Sequence, residues 1–272
     1  MNPIRSILVH VDAGPHCAPR VHMARALGAT LGAHVTALYA VTPVFVEMAL
    51  DVAMGGPHKA LLEVDLSRLS AARGLVTSIC ADPGVQVEWR EGRDAPGHAT
   101  IRQALYADLL VLGQHDRTHR ETGVLPDFVP SVLIPSGKPA LVVPYIGPRA
   151  STFKTVMVAW KETRESARAL SAAIPILRTA GAVHVALERD TDASHEALLQ
   201  VLLQRHGIEA RFHTLACIPS AAGESILSMT ADLDADLLVM GCYGHSRARE
   251  LVLGGASRTV LDSMTLPVLM AH

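Results

Sequence analysis

Gly241, Gly244, Gly254 and Gly255 are the residues of this chain whose spacing could do chemistry. They lie in GCYGHSRARELVLGGASRTVL (Gly241 to Leu261). One glycine closes an apolar run, a second follows after two residues, and a third comes after nine more with a fourth beside it. A helical pattern then starts at Ala256. Glycine permits positive φ and close approach of backbones. The N–H groups of such a loop, with the N-terminus of the next helix, can cradle phosphate oxygens. Tight turns need glycine too, so the spacing supports both an anion site and plain turn chemistry. His245, Ser246 and Arg247 lie inside the loop and could face a phosphate, and Ser257 lies two residues past Gly255. For Arg247 and Arg249, solvated surface arginines are the simpler reading.

Other chemistry finds less support. His10, Asp12, His16 and Cys17 cluster where the first strand ends, and each type can bind zinc. They follow no recognised metal-ligand spacing, so no metal is expected. GESIL (Gly223 to Leu227) is not a GxSxG nucleophile motif, and its Ser225 falls in a helical pattern. His115 and Asp116 adjoin a strand end, yet neighbouring side chains usually point apart. No residue stands out as a general base. The chain reads as non-enzymatic, with slow hydrolysis of a bound phosphate ligand left open.

The elements that position these residues come in two copies. ADLLVLGQHD (Ala107 to Asp116) returns as ADLLVMGCYG (Ala235 to Gly244), and KPALVVP (Lys138 to Pro144) as LPVLMAH (Leu266 to His272). SILVHVD (Ser6 to Asp12) has its counterpart in TVMVAWK (Thr155 to Lys161). A repeat this long means two related domains rather than a solenoid. In each half, five short apolar runs alternate with helical patterns. The runs are Ile7 to Val11, Val35 to Val41, Val85 to Trp89, Leu109 to Leu112 and Ala140 to Val143, then Val156 to Trp160, Val183 to Leu187, Ala210 to Leu215, Leu237 to Met240 and Val268 to Met270. Such runs predict strands buried on both faces of a parallel sheet, with helices on both sides. The predicted boundaries are residues 1–146 and 152–272, joined through the Gly- and Pro-containing YIGPRASTF (Tyr145 to Phe153). The repeat offset is 149 at Asp12 and Lys161 but 128 at Gly113 and Gly241, so the first half is 21 residues longer. Much of the excess lies in Thr42 to Ala60, a lid, an interface segment or a packed loop.

Composition excludes several classes. Hydrophobic residues make up 49% of the 272 residues and charged residues 18%, which rules out a disordered chain. The net charge of −2 gives no basic footprint for nucleic acid and no polybasic membrane patch. No apolar run reaches the ~20 residues of a membrane helix. Cys17, Cys80, Cys217 and Cys242 are scattered, so reduced thiols are expected. The first strand starts too early to leave room for a signal peptide. The expected location is the cytoplasm.

The Gly-x2-Gly-x9-Gly spacing, the helix after it and the Leu-Pro-Val-Leu strand (Leu266 to Leu269) resemble the universal stress protein family. The resemblance covers both halves. It implies a tandem member with two five-stranded α/β domains, Rossmann-like and adenine nucleotide alpha hydrolase-like in fold. It also implies pairing of the halves as a pseudo-dimer through their last strands, Leu141 to Val143 near Val268 to Met270; a further homodimer stays open. Gly241, Gly244 and Gly254 match the family's phosphate loop, and Gly255 stands where Ser or Thr is expected. The family's Asp at the end of the first strand is Asp12 in the first half and Lys161 in the second. In the first half the loop is lost, with Asp116 for the second glycine and Pro126 and Asp127 for the Gly254–Gly255 pair. A nucleotide such as ATP is therefore expected in the second domain alone, with Lys161, His245 and Ser257 beside the glycines. The implied role is a non-enzymatic stress-response module that binds a nucleotide or other anion. The alternative is a nucleotide-free interaction scaffold whose glycines serve the turn.

Overall fold

The computed structural model describes residues 4–47, 58–92, 94–116, 118, 123–148, 152–215, 221–242 and 255–272. It divides into two compact units, Ile4–Ser136 and Gly137–His272.

In the first unit the elements run β1 (Ser6–Val11), α1 (Cys17–Leu31), β2 (His34–Tyr39), α2 (Val44–Glu47), α3 (His58–Ala81), β3 (Val87–Glu91), α4 (Pro96–Ala104), β4 (Leu109–Gly113) and α5 (Phe128–Ser136). The four strands lie in the order β3-β2-β1-β4 and all pair in parallel. Ile7, Val9, Val11 and Leu109 to Leu112 are buried without exposure, as apolar runs covered on both faces must be. α1 packs with α3, and α4 with α5. β3 departs from the expectation of full burial. Its residues are half-buried or exposed because it is the last strand in the order, with a partner on one side only. The sequence patterns also passed over α4 and α5. Both are short, and α5 carries Pro130 and Pro135.

The second unit holds β5 (Ala140–Val143), β6 (Thr155–Trp160), α6 (Arg164–Leu177), β7 (Ala182–Glu188), α7 (Ala193–Arg205), β8 (Ala210–Leu215), α8 (Ala222–Asp232), β9 (Leu237–Gly241), α9 (Ala256–Ser263) and β10 (Val268–Ala271). Its strand order is β5-β10-β9-β6-β7-β8. One pairing breaks the parallel expectation: β5 runs antiparallel to β10, with Leu141 opposite Leu269 and Val142 opposite Val268. No single crossover helix joins these two strands, so the handedness rule that makes the other neighbours parallel does not bind them. β5 ends the first sequence repeat, yet it belongs to the second compact unit.

The extra length of the first half is anchored where it is described. Both carboxylate oxygens of Asp65 on α3 accept from the Val44 N–H, at 3.0 and 3.2 Å, at the start of α2. The Thr42 N–H donates to the Gly123 carbonyl at 2.8 Å. Residues 48–57 of that segment lie outside the described residues.

Candidate functional site

The predicted anion turn begins where β9 ends. A Cβ on Gly241 would lie 2.5 Å from the Ser166 nitrogen, 2.7 Å from the Glu165 carbonyl carbon and 3.0 Å from the Glu165 Cβ. The first turn of α6 therefore rests directly on the end of β9, and only glycine fits. Thr163 caps this helix, its Oγ1 accepting from the Ser166 N–H at 3.2 Å. At the far end of the turn, Gly255 is the N-cap of α9, with extended backbone at φ −63 and ψ 152. It brings no side chain to accept from the first N–H groups, and the first turn of α9 carries no acidic residue. Thr163 and, on α7, Asp192 do supply such a side chain. Ser257 is buried in that first turn. Gly244, His245 and Gly254 lie outside the described residues, as do Ser246, Arg247 and Arg249.

Lys161 follows β6, and its ammonium meets the Glu188 carboxylate at the end of β7, 2.8 Å away. Both side chains are half exposed. The lysine is thus at the carboxyl ends of the strands, as expected, but it is held by an acidic neighbour.

Glu165 escaped the sequence reading. It is buried at the start of α6, and Arg164 Nε donates to its Oε1 at 2.5 Å. Burial pushes the carboxyl up. Hydrogen bonds from Arg164, its own backbone N–H and Thr163 outweigh that and hold it below the usual range. The sequence signal was the repeat itself, because at the offset of 149 Glu165 corresponds to His16, which also sits at a strand-to-helix exit.

In the first unit, the corresponding end of the sheet is filled with side chains. Arg20, from α1, places Nη2 2.6 Å from Asp12 Oδ2, and both side chains are 6% exposed. Asp12 Oδ1 accepts from the Gly14 N–H at 2.7 Å. His10 Nε2 donates to the Ala40 carbonyl at 2.7 Å, which leaves Nδ1 to accept from Arg20 Nη1 at 3.3 Å. Burial and the neighbouring Arg20 lower the His10 pKa to about 4. The Asp12 carboxyl is pushed up by burial, but Arg20 and His10 prevail and keep it below its ordinary value. Farther out, His16 Nε2 meets Asp116 Oδ2 at 2.9 Å, and Asp116 Oδ1 accepts from the Thr118 N–H and hydroxyl at 2.8 and 2.6 Å. The candidate zinc ligands thus engage an arginine and an aspartate. Among the described residues, no group of three or more His, Cys, Asp or Glu is placed to hold a metal ion. Arg20 was legible only as an oddity, a charge next to Val21 and four residues before Ala24 on the inward face of α1.

The sequence pattern of the universal stress protein family matches residues 3–144 and again residues 152–272. The chain belongs to the universal stress protein family. A stretch of 48 residues is 46% identical to the universal stress protein Slr1230 of Synechocystis sp., covering 18% of this chain and 17% of that one. The crystal structure of a universal stress protein from Archaeoglobus fulgidus matches with a TM-score of 0.71 at 18% identity, over 97% of this chain and 94% of that one. A Pseudomonas aeruginosa protein described as functionally unknown, PA1789, matches with a TM-score of 0.57 at 16% identity, over 98% and 92%. At these identities the likeness is one of fold.

As a tandem universal stress protein, the chain brings Gly241, Glu165 and Ser166 together at one strand end and Lys161 to the next strand over. Its two copies have diverged in opposite directions. Asp12, His10 and Arg20 of the first correspond, at the offset of 149, to Lys161, Ala159 and Ala169 of the second. No helix among the described residues is long and apolar enough to cross a membrane.

Proposed function

We propose that this universal stress protein is a non-enzymatic stress-response module whose second domain binds an anion, a nucleotide such as ATP in the first instance, at the turn from Gly241 to α9. The observation that carries this is the start of α9. Its N-cap is a glycine, so no cap side chain accepts from the first turn, and the first turn carries no acidic residue. A helix N-terminus in that state favours negative charge. The family's glycine spacing at Gly241, Gly244 and Gly254 supports the same reading. Lys161 adds a cation within the same strand-end layer. Its contact with Glu188 is half exposed, and such pairs contribute at most about 1 kcal/mol, so a phosphate can compete for the ammonium.

One observation favours the alternative of a nucleotide-free scaffold. Gly241 is accounted for by helix packing alone, since any Cβ would collide with α6. Thermal melting of the full chain with millimolar ATP, ADP, AMP or inorganic phosphate separates the two. A ligand that binds only the folded state raises the melting temperature, and a binding module shows that rise. A melting curve unchanged by all four favours the scaffold.

A further inference from the structure

The strand order of the first unit changes direction at β1. The chain moves outward through β2 and β3, then places β4 on the other side of β1. In open α/β sheets, the space outside the carboxyl ends at such a reversal is where small molecules bind. Here Asp12 directly follows β1 and Gly113 closes β4.

We propose that Arg20 is a built-in ligand of the first unit: its guanidinium occupies the place between the ends of β1 and β4 that an external molecule would take, so this unit carries its own cationic occupant.

Arg20 touches both strand ends. Its Nη2 bonds Asp12, and a Cβ on Gly113 would lie 2.7 Å from Nη1 and 3.0 Å from Cδ and Cζ. Gly113 is thus the floor on which the guanidinium lies. The fit is that of an occupant rather than of an optimised ion pair. An arginine that pairs with a carboxylate for strength alone presents a two-pronged fork. Arg20 instead gives Asp12 one Nη2 contact, turns Nη1 toward His10, and leaves Nε buried without a hydrogen-bond partner among the described residues. The other Asp12 oxygen is taken by Gly14. The second unit has neither part of this device, because Ala169 stands at the Arg20 position and Lys161 at that of Asp12.

The test is replacement of the tethered cation by a free one. Arg20→Ala leaves Asp12 facing the space of a guanidinium. Low-millimolar methylguanidinium is expected to raise the melting temperature of the full-length variant by about 2–4 °C. Wild type should not move, tetramethylammonium (the same charge without N–H donors) should fail, and Asp12→Asn added to the variant should abolish the rescue. A folded variant without selective rescue overturns the proposal. Should Arg20→Ala not fold, Arg20→Met keeps the stem packing and answers the same question. Wild type gives an independent reading by NMR. The His10 ring and Thr118 amide signals stay still when ATP or ADP is added, even where the second domain responds. A nucleotide that moves them displaces the arginine and overturns the proposal.

Discussion

Gly241 and Ser166 meet so closely that a Cβ on the glycine would stand 2.5 Å from the serine nitrogen. Contacts of that length do not occur, so either the first turn of α6 shifts or the end of β9 does. The same strand end opens the proposed anion turn, and the fold therefore limits variation there before any ligand is considered.

Gly241→Ala is expected to destabilise the protein by about 1–3 kcal/mol, the usual cost of overpacking a close contact. Gly74→Ala is the matched control. It lies in α3 with nothing within 4 Å of its added Cβ, and alanine there should raise stability by up to about 1 kcal/mol. Urea unfolding of both variants measures the contrast. Equal effects would remove the packing account of Gly241.

Lys161→Ala should weaken phosphate and nucleotide binding about fivefold, while unfolding free energy stays within about 0.5 kcal/mol, because the pair it breaks is exposed. Glu188→Gln should do the reverse to affinity by releasing the ammonium. Isothermal titration with ATP on both variants checks this, and the opposite signs are the diagnostic result.

Glu165 holds a buried negative charge beside Gly241. Glu165→Gln keeps an acceptor for Arg164 and removes the charge. Anion affinity should rise about fivefold, as expected for one unit charge removed several ångströms away at intermediate dielectric. Stability at neutral pH should fall somewhat. The folded carboxyl lies below its unfolded value, so its ionised form supports folding above the unfolded pKa, and that support is lost as pH falls. Titration calorimetry and urea unfolding read the two effects separately.

His10 should make the first unit acid-sensitive. Its pKa falls from 6.5 to about 4 on folding, so between these values the unfolded chain binds the extra proton. The contribution is fully present above pH 6.5 and is lost as pH drops toward 4. Between pH 7 and pH 5 this amounts to about 2 kcal/mol. His10→Asn should show an unfolding free energy that changes less by about that amount over the same interval. A pH dependence identical to wild type would place the proton elsewhere.

The sequence alone determined the architecture, because apolar periodicity and a repeat of more than a hundred residues are written along the chain. Ala140 to Val143 and Ala210 to Leu215 have the bounds that the apolar runs predict. The strand-end glycines were legible for the same reason, since spacing is a local property. Three things waited for the tertiary structure. The antiparallel direction of β5 beside β10 is one, since no local pattern specifies direction between strands more than a hundred residues apart. The repeat puts Lys161 at a strand end, opposite Asp12 of the first copy, but its partner Glu188 lies 27 residues away and is brought beside it only by the pairing of β6 with β7. Arg20 reads as a misplaced charge in a helix until α1 folds back over β1 and β4 and sets it between Asp12 and Gly113. A buried charge is tolerable only with its partner at hand, and partners are chosen by packing in three dimensions.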